Sequence, residues 1–185
     1  TWASHALSAG MDANDLKQDY VERILTQTQE LFNDPKLGFV GGIDNVSAVS
    51  AMKIKAKSAS SLPIAGEQLN PASCSFNLEQ GWNWLGYPLT QTMKLDEALS
   101  YLDVEEGDYI TNLSGGYAEY NNGAWVGDLQ TMEPGKGYLY KSVSSKSFVY
   151  NNTIVSKAKA HYAKRLALDV APWSVDVHKY PNMMC

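Results

Sequence analysis

The sequence predicts an α+β fold that is mostly β, arranged as two tandem small antiparallel β-rich modules, each with one short helix, plus a C-terminal strand segment. Three observations lead to this class. Short segments of alternating apolar and polar residues are separated by turn residues. Each half of the chain has one amphipathic helical stretch, and the first half resembles the second. One helix beside several short strands is typical of a small α+β domain.

The internal similarity is a match of apolar positions rather than of identities. Residues 37–43 align with 123–129 at an offset of 86 residues, and the alignment continues without a gap from residue 24 to residue 62. Near the start, an offset of 82 residues places Trp2 opposite Trp84. We therefore predict modules over residues 1–66 and 67–151, followed by a linker and strands of a further element over residues 152–185.

The elements of the second module are predicted in chain order. Residues 73–89 are expected to form a long strand interrupted at Gly81, and residues 92–102 a helix capped by Thr92. Turns rich in glycine and asparagine then separate short strands. These strands are predicted at residues 109–110, 117–120, 124–129, 138–141 and 147–150.

The first module is predicted to repeat this order from a shortened start. Its helix is expected over residues 12–21, and its strands at residues 2–7, 24–32, 38–43, 52–57 and 62–64. Its opening strand would lie before Thr1, so we expect one unpaired sheet edge in this module. Alternatively, the strands predicted after residue 152 could supply that edge.

Charge and hydropathy exclude several classes of partner. The net charge of −5 argues against nucleic acid, because phosphate binding requires a basic face. No apolar run approaches the roughly 18 residues needed to span a bilayer, so no membrane insertion is expected. We expect a monomer whose partners are neighbouring domains of the same polypeptide.

The motifs of common catalytic sites are missing from the sequence. His5, His161 and His178 are scattered without metal-ligand spacing, and no Gly-x-Ser-x-Gly motif is present. We therefore predict a chain that is not an enzyme and holds no cofactor. One alternative is a hydrolase cleft between the two modules, which would require converging carboxylates or a His–carboxylate pair.

An acidic loop is the one candidate for a metal site. Asp103, Glu105, Glu106 and Asp108 could together offer oxygen ligands to Ca²⁺. They lack the spacing of an EF-hand, and a solvated loop after the helix is the alternative.

The internal alignment also sorts the many aromatic residues. Positions that are aromatic in the second module and apolar in the first, such as Trp125 opposite Phe39, are predicted to be core. Three tyrosines instead face polar or charged residues, which predicts surface positions and makes them the candidate ligand-binding residues. They are Tyr87 opposite His5, Tyr109 opposite Arg23, and Tyr120 opposite Asp34.

Two motifs carry a family resemblance. Residues 78–88 (LEQGWNWLGYP) and the later WVGDL and PGKGY segments resemble a repeated module of large secreted surface proteins of Bacteroides-type gut bacteria. The resemblance covers residues 67–151, and the first half matches it more weakly. It implies an extracellular or cell-surface location in an adhesin-like or enzyme-accessory chain, and it brings no catalytic residues.

Two functions follow as expectations. The first is a non-catalytic tandem-repeat module of a bacterial surface protein, with a structural or adhesive role that includes contact with a glycan or host surface polymer. The alternative is a carbohydrate-binding module that is accessory to a secreted hydrolase.

Overall fold

The computed structural model describes residues 1–7, 10–59, 62 and 66–150. Within them the chain is mostly β-strand with two four-residue α-helices, so the predicted β-rich α+β class is confirmed. The predicted linker and strands over residues 152–185 lie outside the described residues, as does most of the predicted strand at 62–64. In the described part of the chain, no helix has the length and apolarity to cross a membrane.

Residues 2–56 form a five-stranded antiparallel sheet with a two-stranded ribbon beside it. The elements are β1 (Trp2–Ala3), β2 (Met11–Asp12), α1 (Ala13–Leu16), β3 (Val21–Leu25), β4 (Glu30–Asp34), β5 (Gly38–Gly41), β6 (Asn45–Val46) and β7 (Met52–Ala56). The strand order is β1-β7-β3-β4-β5, and β2 pairs with β6. The single strand predicted over residues 24–32 is wrong, because a turn closed by Thr26 N and Gln29 O (2.9 Å) separates β3 from β4.

Residues 71–148 form a second five-stranded antiparallel sheet. After a 3₁₀ turn (Pro71–Ser73), its elements are β8 (Phe76–Leu78), β9 (Gly81–Gly86), β10 (Met93–Lys94), α2 (Leu95–Ala98), β11 (Tyr109–Thr111), β12 (Tyr117–Asn121), β13 (Ala124–Gly127), β14 (Thr131–Met132), β15 (Gly137–Ser142) and β16 (Lys146–Phe148). The strand order is β13-β12-β11-β15-β9, with β10 paired to β14 and β8 to β16.

The two sheets have the same strand order. Read from its other end, the second sheet is β9-β15-β11-β12-β13, which corresponds strand for strand to β1-β7-β3-β4-β5. Strands β5 and β13 lie 86 residues apart, while helices α1 and α2 lie 82 residues apart. Gly41 and Gly127 also correspond, with φ of 149° and 152°. At both positions a Cβ atom would lie 2.1 Å from a backbone oxygen of the neighbouring strand, so glycine is required.

Both helices are shorter than the sequence predicts. Helix α2 begins after Lys94, which makes no side-chain capping bond, so the assignment of Thr92 as the cap is wrong. Lys94 pairs with Thr131 in the β10–β14 ribbon, and this pairing fixes where the helix starts. Leu99 and Leu102 are buried as predicted, but turns rather than helix carry them into the core.

The two sheets meet through contacts that occur in pairs. Ser4 N donates to Gly135 O (3.1 Å), and Gly86 N donates to Val49 O (3.0 Å). Ser4 corresponds to Gly86, and Val49 corresponds to Gly135, so each sheet uses the same positions toward the other. Trp2 contacts its own counterpart Trp84, with ring centroids 4.1 Å apart. This reciprocal interface has the pattern of a two-fold axis.

The reciprocal interface covers the outer edges of β1 and β9. On β9, Trp84 O accepts from Ala51 N (3.3 Å), and the Gln27 side chain bonds to Trp82 O (3.0 Å) and Trp84 N (2.8 Å). On the first sheet, Ala3 bridges to Lys136. The other half of the chain thus covers the outer edge of β1. The edge that we expect to lack a strand corresponds to the β8 side of β16, and its counterpart at residues 60–62 lies mostly outside the described residues, so that expectation stays a prediction.

Candidate functional site

Tyr87 is fully buried, so its predicted surface position is wrong. Its hydroxyl donates to Gln91 O (2.7 Å), and burial raises the pKa of this phenol. The counterpart His5 is also fully buried, with Nε2 2.7 Å from Val46 O and Nδ1 accepting from Leu7 N (3.2 Å). A polar residue at the aligned position did not indicate exposure, because both polar tips find backbone partners.

Tyr109 lies half-buried on the face of the second sheet that points away from the core. Its ring stacks on Tyr117 (centroids 5.6 Å apart, 11° between planes) and meets Trp82 edge-on at 6.0 Å. Trp82 is 49% exposed and Tyr117 is 45% exposed. We call these three residues the outer aromatic patch. Sequence reasoning did not select Trp82 or Tyr117, although the alternation of each along its strand would have placed it opposite the core.

Tyr120 lines a cleft of about 820 Å³ between helix α2 and the β12–β13 hairpin. We call it the helix–hairpin cleft. Tyr120 and Trp125 are cross-strand partners, and their rings meet edge-on at 5.4 Å. Trp125 packs against the core as predicted but is only half-buried, because one side of it faces the cleft.

The opposite wall and the ends of the cleft combine apolar residues, among them Leu95, Leu99 and Leu102, with polar side chains. Asp96, Ser100 and Asp103 come from helix α2 and the turn after it, and Lys94, Gln130 and Thr131 come from the β10–β14 side. The side chains of Lys94 and Asp103 make no hydrogen bond or ion pair with any described residue, so both remain available to a ligand.

Of the four acidic loop residues, Asp108 is fully buried. It accepts hydrogen bonds from Glu105 N (3.0 Å), Val143 N (2.8 Å), the Tyr140 hydroxyl (2.8 Å) and Lys146 Nζ (2.9 Å). Burial alone would raise the pKa of this carboxyl, but the four donors outweigh burial and hold the pKa below its ordinary value.

Lys146 is the cation of this loop, since its ammonium lies 2.9 Å from both Glu105 Oε1 and Asp108 Oδ2 and donates to Asp103 O. Burial would lower its pKa, but the two carboxylates raise it above the ordinary value. The fourth residue, Glu106, accepts from Asn122 N (2.9 Å) and Gly123 N (3.0 Å) instead. Calcium here stays a prediction, and the ion would have to displace Lys146.

The remaining titratable groups among the described residues do not form a further site. No group of three His, Cys, Asp or Glu side chains among the described residues is arranged to hold a metal ion. His5 is held by backbone groups on both ring nitrogens, whereas His161 and His178 lie outside the described residues. Cys74 is a half-buried free thiol whose pKa is raised by burial. The arrangement therefore offers ring surfaces and polar side chains suited to binding.

No protein-family model, curated protein or solved structure matches this chain.

Proposed function

We propose that the chain is a non-catalytic pair of tandem modules, over residues 1–66 and 67–151, in an extracellular or cell-surface bacterial protein. The observation that carries the proposal is the reciprocal interface between two sheets of identical strand order. Backbone hydrogen bonds across that interface would hold the modules in one relative orientation. A fixed orientation suits a structural or adhesive segment that presents neighbouring domains of the same polypeptide.

The proposed location follows from the resemblance of the GWNW and PGKGY segments to modules of secreted surface proteins. Antibodies raised against the chain should label intact cells of a bacterium that expresses it, and external protease should remove the signal. Detection only after lysis would overturn the surface location.

The proposed rigid pairing has its own measurement. If the interface couples the modules, urea unfolding followed by tryptophan fluorescence and by far-UV circular dichroism should give coincident transitions. Two resolved transitions would show that the modules unfold independently and would overturn a rigid pair.

Carbohydrate binding is the second candidate function, and the outer aromatic patch favours it. Three rings cluster on an exposed sheet face, and aromatic rings stack on the apolar faces of sugars while their polar tips form hydrogen bonds. Glu119 and Lys141 are the cross-strand partners of Tyr109 and add exposed polar groups beside the rings.

A glycan array probed with the purified chain tests this candidate. Trp82→Ala should reduce saturable binding to the patch, whereas Tyr101→Ala should not, since Tyr101 is equally exposed (55%) and makes none of the patch's ring contacts. Equal binding by the wild type and Trp82→Ala would remove the patch as the site.

A further inference from the structure

We propose that the helix–hairpin cleft is the binding site of the chain for a neutral oligosaccharide. The inference rests on the carbohydrate-binding candidate above and assigns it to a different place, lined by Tyr120 and Trp125. The cleft volume of about 820 Å³ exceeds that of a single sugar ring and falls within the usual range for small-ligand sites, about 300 to 1,000 Å³.

One wall of the cleft provides the aromatic surface. Tyr120 and Trp125 face each other across β12 and β13, so both rings project on the same side of the hairpin. The C–H groups on one face of a pyranose pack favourably against such rings, and the Tyr hydroxyl and indole N–H remain free to form hydrogen bonds.

The facing wall and the ends provide hydrogen-bonding groups for sugar hydroxyls. Carboxylates of Asp96 and Asp103 accept hydrogen bonds, while the Lys94 ammonium donates them. With two aspartates against one lysine, the charged side chains carry a net charge of −1. This balance disfavours phosphorylated or acidic sugars and indicates a neutral ligand.

Contacts within the protein hold the backbone of Tyr120 and the ring of Trp125. Tyr120 N donates to Asp108 O (2.8 Å), and Tyr120 O accepts from Gly107 N (2.9 Å). The Trp125 ring lies against Tyr140 at 6.3 Å, and the Tyr140 hydroxyl is fixed by Asp108. Because the Trp125 ring is packed against Tyr140, binding loses less entropy from this side chain.

The outer aromatic patch is a weaker site for a single sugar ring. There Tyr109 stacks one face of its ring on Tyr117, so that face is not available to a sugar. The cleft instead has walls on two sides, and the side chains of Lys94 and Asp103 make no hydrogen bond to a described residue.

Titration of the full chain with neutral oligosaccharides tests the assignment. We would use maltotetraose, cellotetraose, xylotetraose and mannotetraose, followed by calorimetry and by tryptophan fluorescence. Tyr120→Ala should weaken the binding of the recognised sugar by about tenfold or more, and Asp103→Asn should also weaken it. The matched control is Val126→Ala, because Val126 is 58% exposed on the opposite face of the same hairpin, and it should leave the affinity within about twofold. Tyr117→Ala and Trp82→Ala report whether the outer patch holds the sugar instead. Circular dichroism melts would verify that each variant is folded.

The outcomes distinguish the assignment of binding to the cleft from carbohydrate binding in general. Loss of binding in Tyr120→Ala but not in Tyr117→Ala supports the cleft. Loss only in Tyr117→Ala or Trp82→Ala overturns the cleft and leaves carbohydrate binding in place on the outer patch. No saturable binding of any of the four sugars by the wild type overturns the cleft proposal, and a negative glycan array would then remove the carbohydrate-binding candidate as a whole.

Discussion

At the scale of single residues, the second half of the chain is organised around the buried carboxylate of Asp108. Its four donors come from the loop before β11, from β15, from the residue after β15 and from β16. Lys146 neutralises it with a side chain that is only 8% exposed. A buried charge with this many partners is stable only while all of them remain, because an uncompensated charge in the interior is costly.

Lys146→Met tests this dependence. Removal of the ammonium leaves the Asp108 carboxylate buried without its cation, and we expect the free energy of unfolding to fall by about 3 kcal/mol. Urea unfolding at neutral pH measures the change. Lys141→Met, on the exposed face of β15, is the control and should cost less than about 0.5 kcal/mol. A similar small loss in both variants would contradict the role of Lys146.

His5 predicts how stability changes with pH. Burial lowers its pKa, and the hydrogen bond to Val46 O offsets this only in part. The unfolded chain gains a proton as pH falls through about 6.5, before the folded chain does. The free energy of unfolding should therefore decline as pH falls from about 6.5 toward the folded pKa.

Urea midpoints of the wild type and His5→Gln, measured between about pH 8 and pH 5, test this effect. The wild type should lose more stability over that interval than the variant does. Parallel curves would show that His5 does not titrate differently in the folded and unfolded chains.

The internal alignment predicted burial correctly for side chains that are large and apolar in both halves. It failed for side chains whose polar ends form hydrogen bonds inside the protein. Tyr138 and Tyr140 face Met52 and Ile54 in the internal alignment, and all four are buried as predicted. The predicted surface position of Tyr87 is wrong because its polar counterpart His5 is itself fully buried. Nothing in the sequence shows that the Tyr87 side chain bonds to Gln91 O and that the His5 side chain bonds to Val46 O.

At the scale of elements, strand positions were more predictable than helix lengths. The two ends of β12 match the turns predicted at Gly115-Gly116 and Asn121-Asn122-Gly123. These turns can be located from sequence because only a few residue types adopt positive φ. The helix predicted over residues 92–102 shrinks to four residues because β10 pairs with β14, in which Met132 lies 39 positions after its partner Met93. Such two-residue pairings depend on long-range contacts that local periodicity does not contain.

The β12–β13 hairpin predicts a measurable contribution from Glu106. Its carboxylate accepts from the amides of Asn122 and Gly123, where φ is 53° and 78°. Glu106→Ala should lower the free energy of unfolding by about 1 kcal/mol, because two charge-assisted hydrogen bonds on an exposed turn are lost. Glu97→Ala, on helix α2 and likewise exposed, should change it by less than about 0.5 kcal/mol. Equal effects in denaturant melts would argue that Glu106 does not stabilise the turn.

At the scale of the whole molecule, the reciprocal interface depends on close backbone approach. A Cβ atom at Gly86 would lie 2.5 Å from Ala48 O and 2.9 Å from Ser50 O, and backbone oxygens cannot move aside as a flexible side chain can. The domain boundary predicted from sequence gave no indication of this contact, because an alignment of two halves does not show how they face each other.

Gly86→Ala should therefore loosen the interface and lower the free energy of unfolding by about 1 to 3 kcal/mol. Hydrogen exchange at the Ser4 amide, bonded to Gly135 on the other side of the pseudo-axis, should accelerate as well. Gly42→Ala is the control, since its nearest contact would be Gln29 Nε2 at 3.8 Å. Normal exchange at Ser4 in a destabilised Gly86→Ala protein would place the damage elsewhere.

Self-complementary pairing also favours an even number of modules. Trp2 and Trp84 contact each other, so among the described residues the interface surface of each half is covered by the other half. On the proposal that these halves are modules of one design, a longer polypeptide built from them would grow in twos. An unpaired module would expose its interface Trp and one strand edge to solvent. It would then be expected to pair with a module of a second polypeptide.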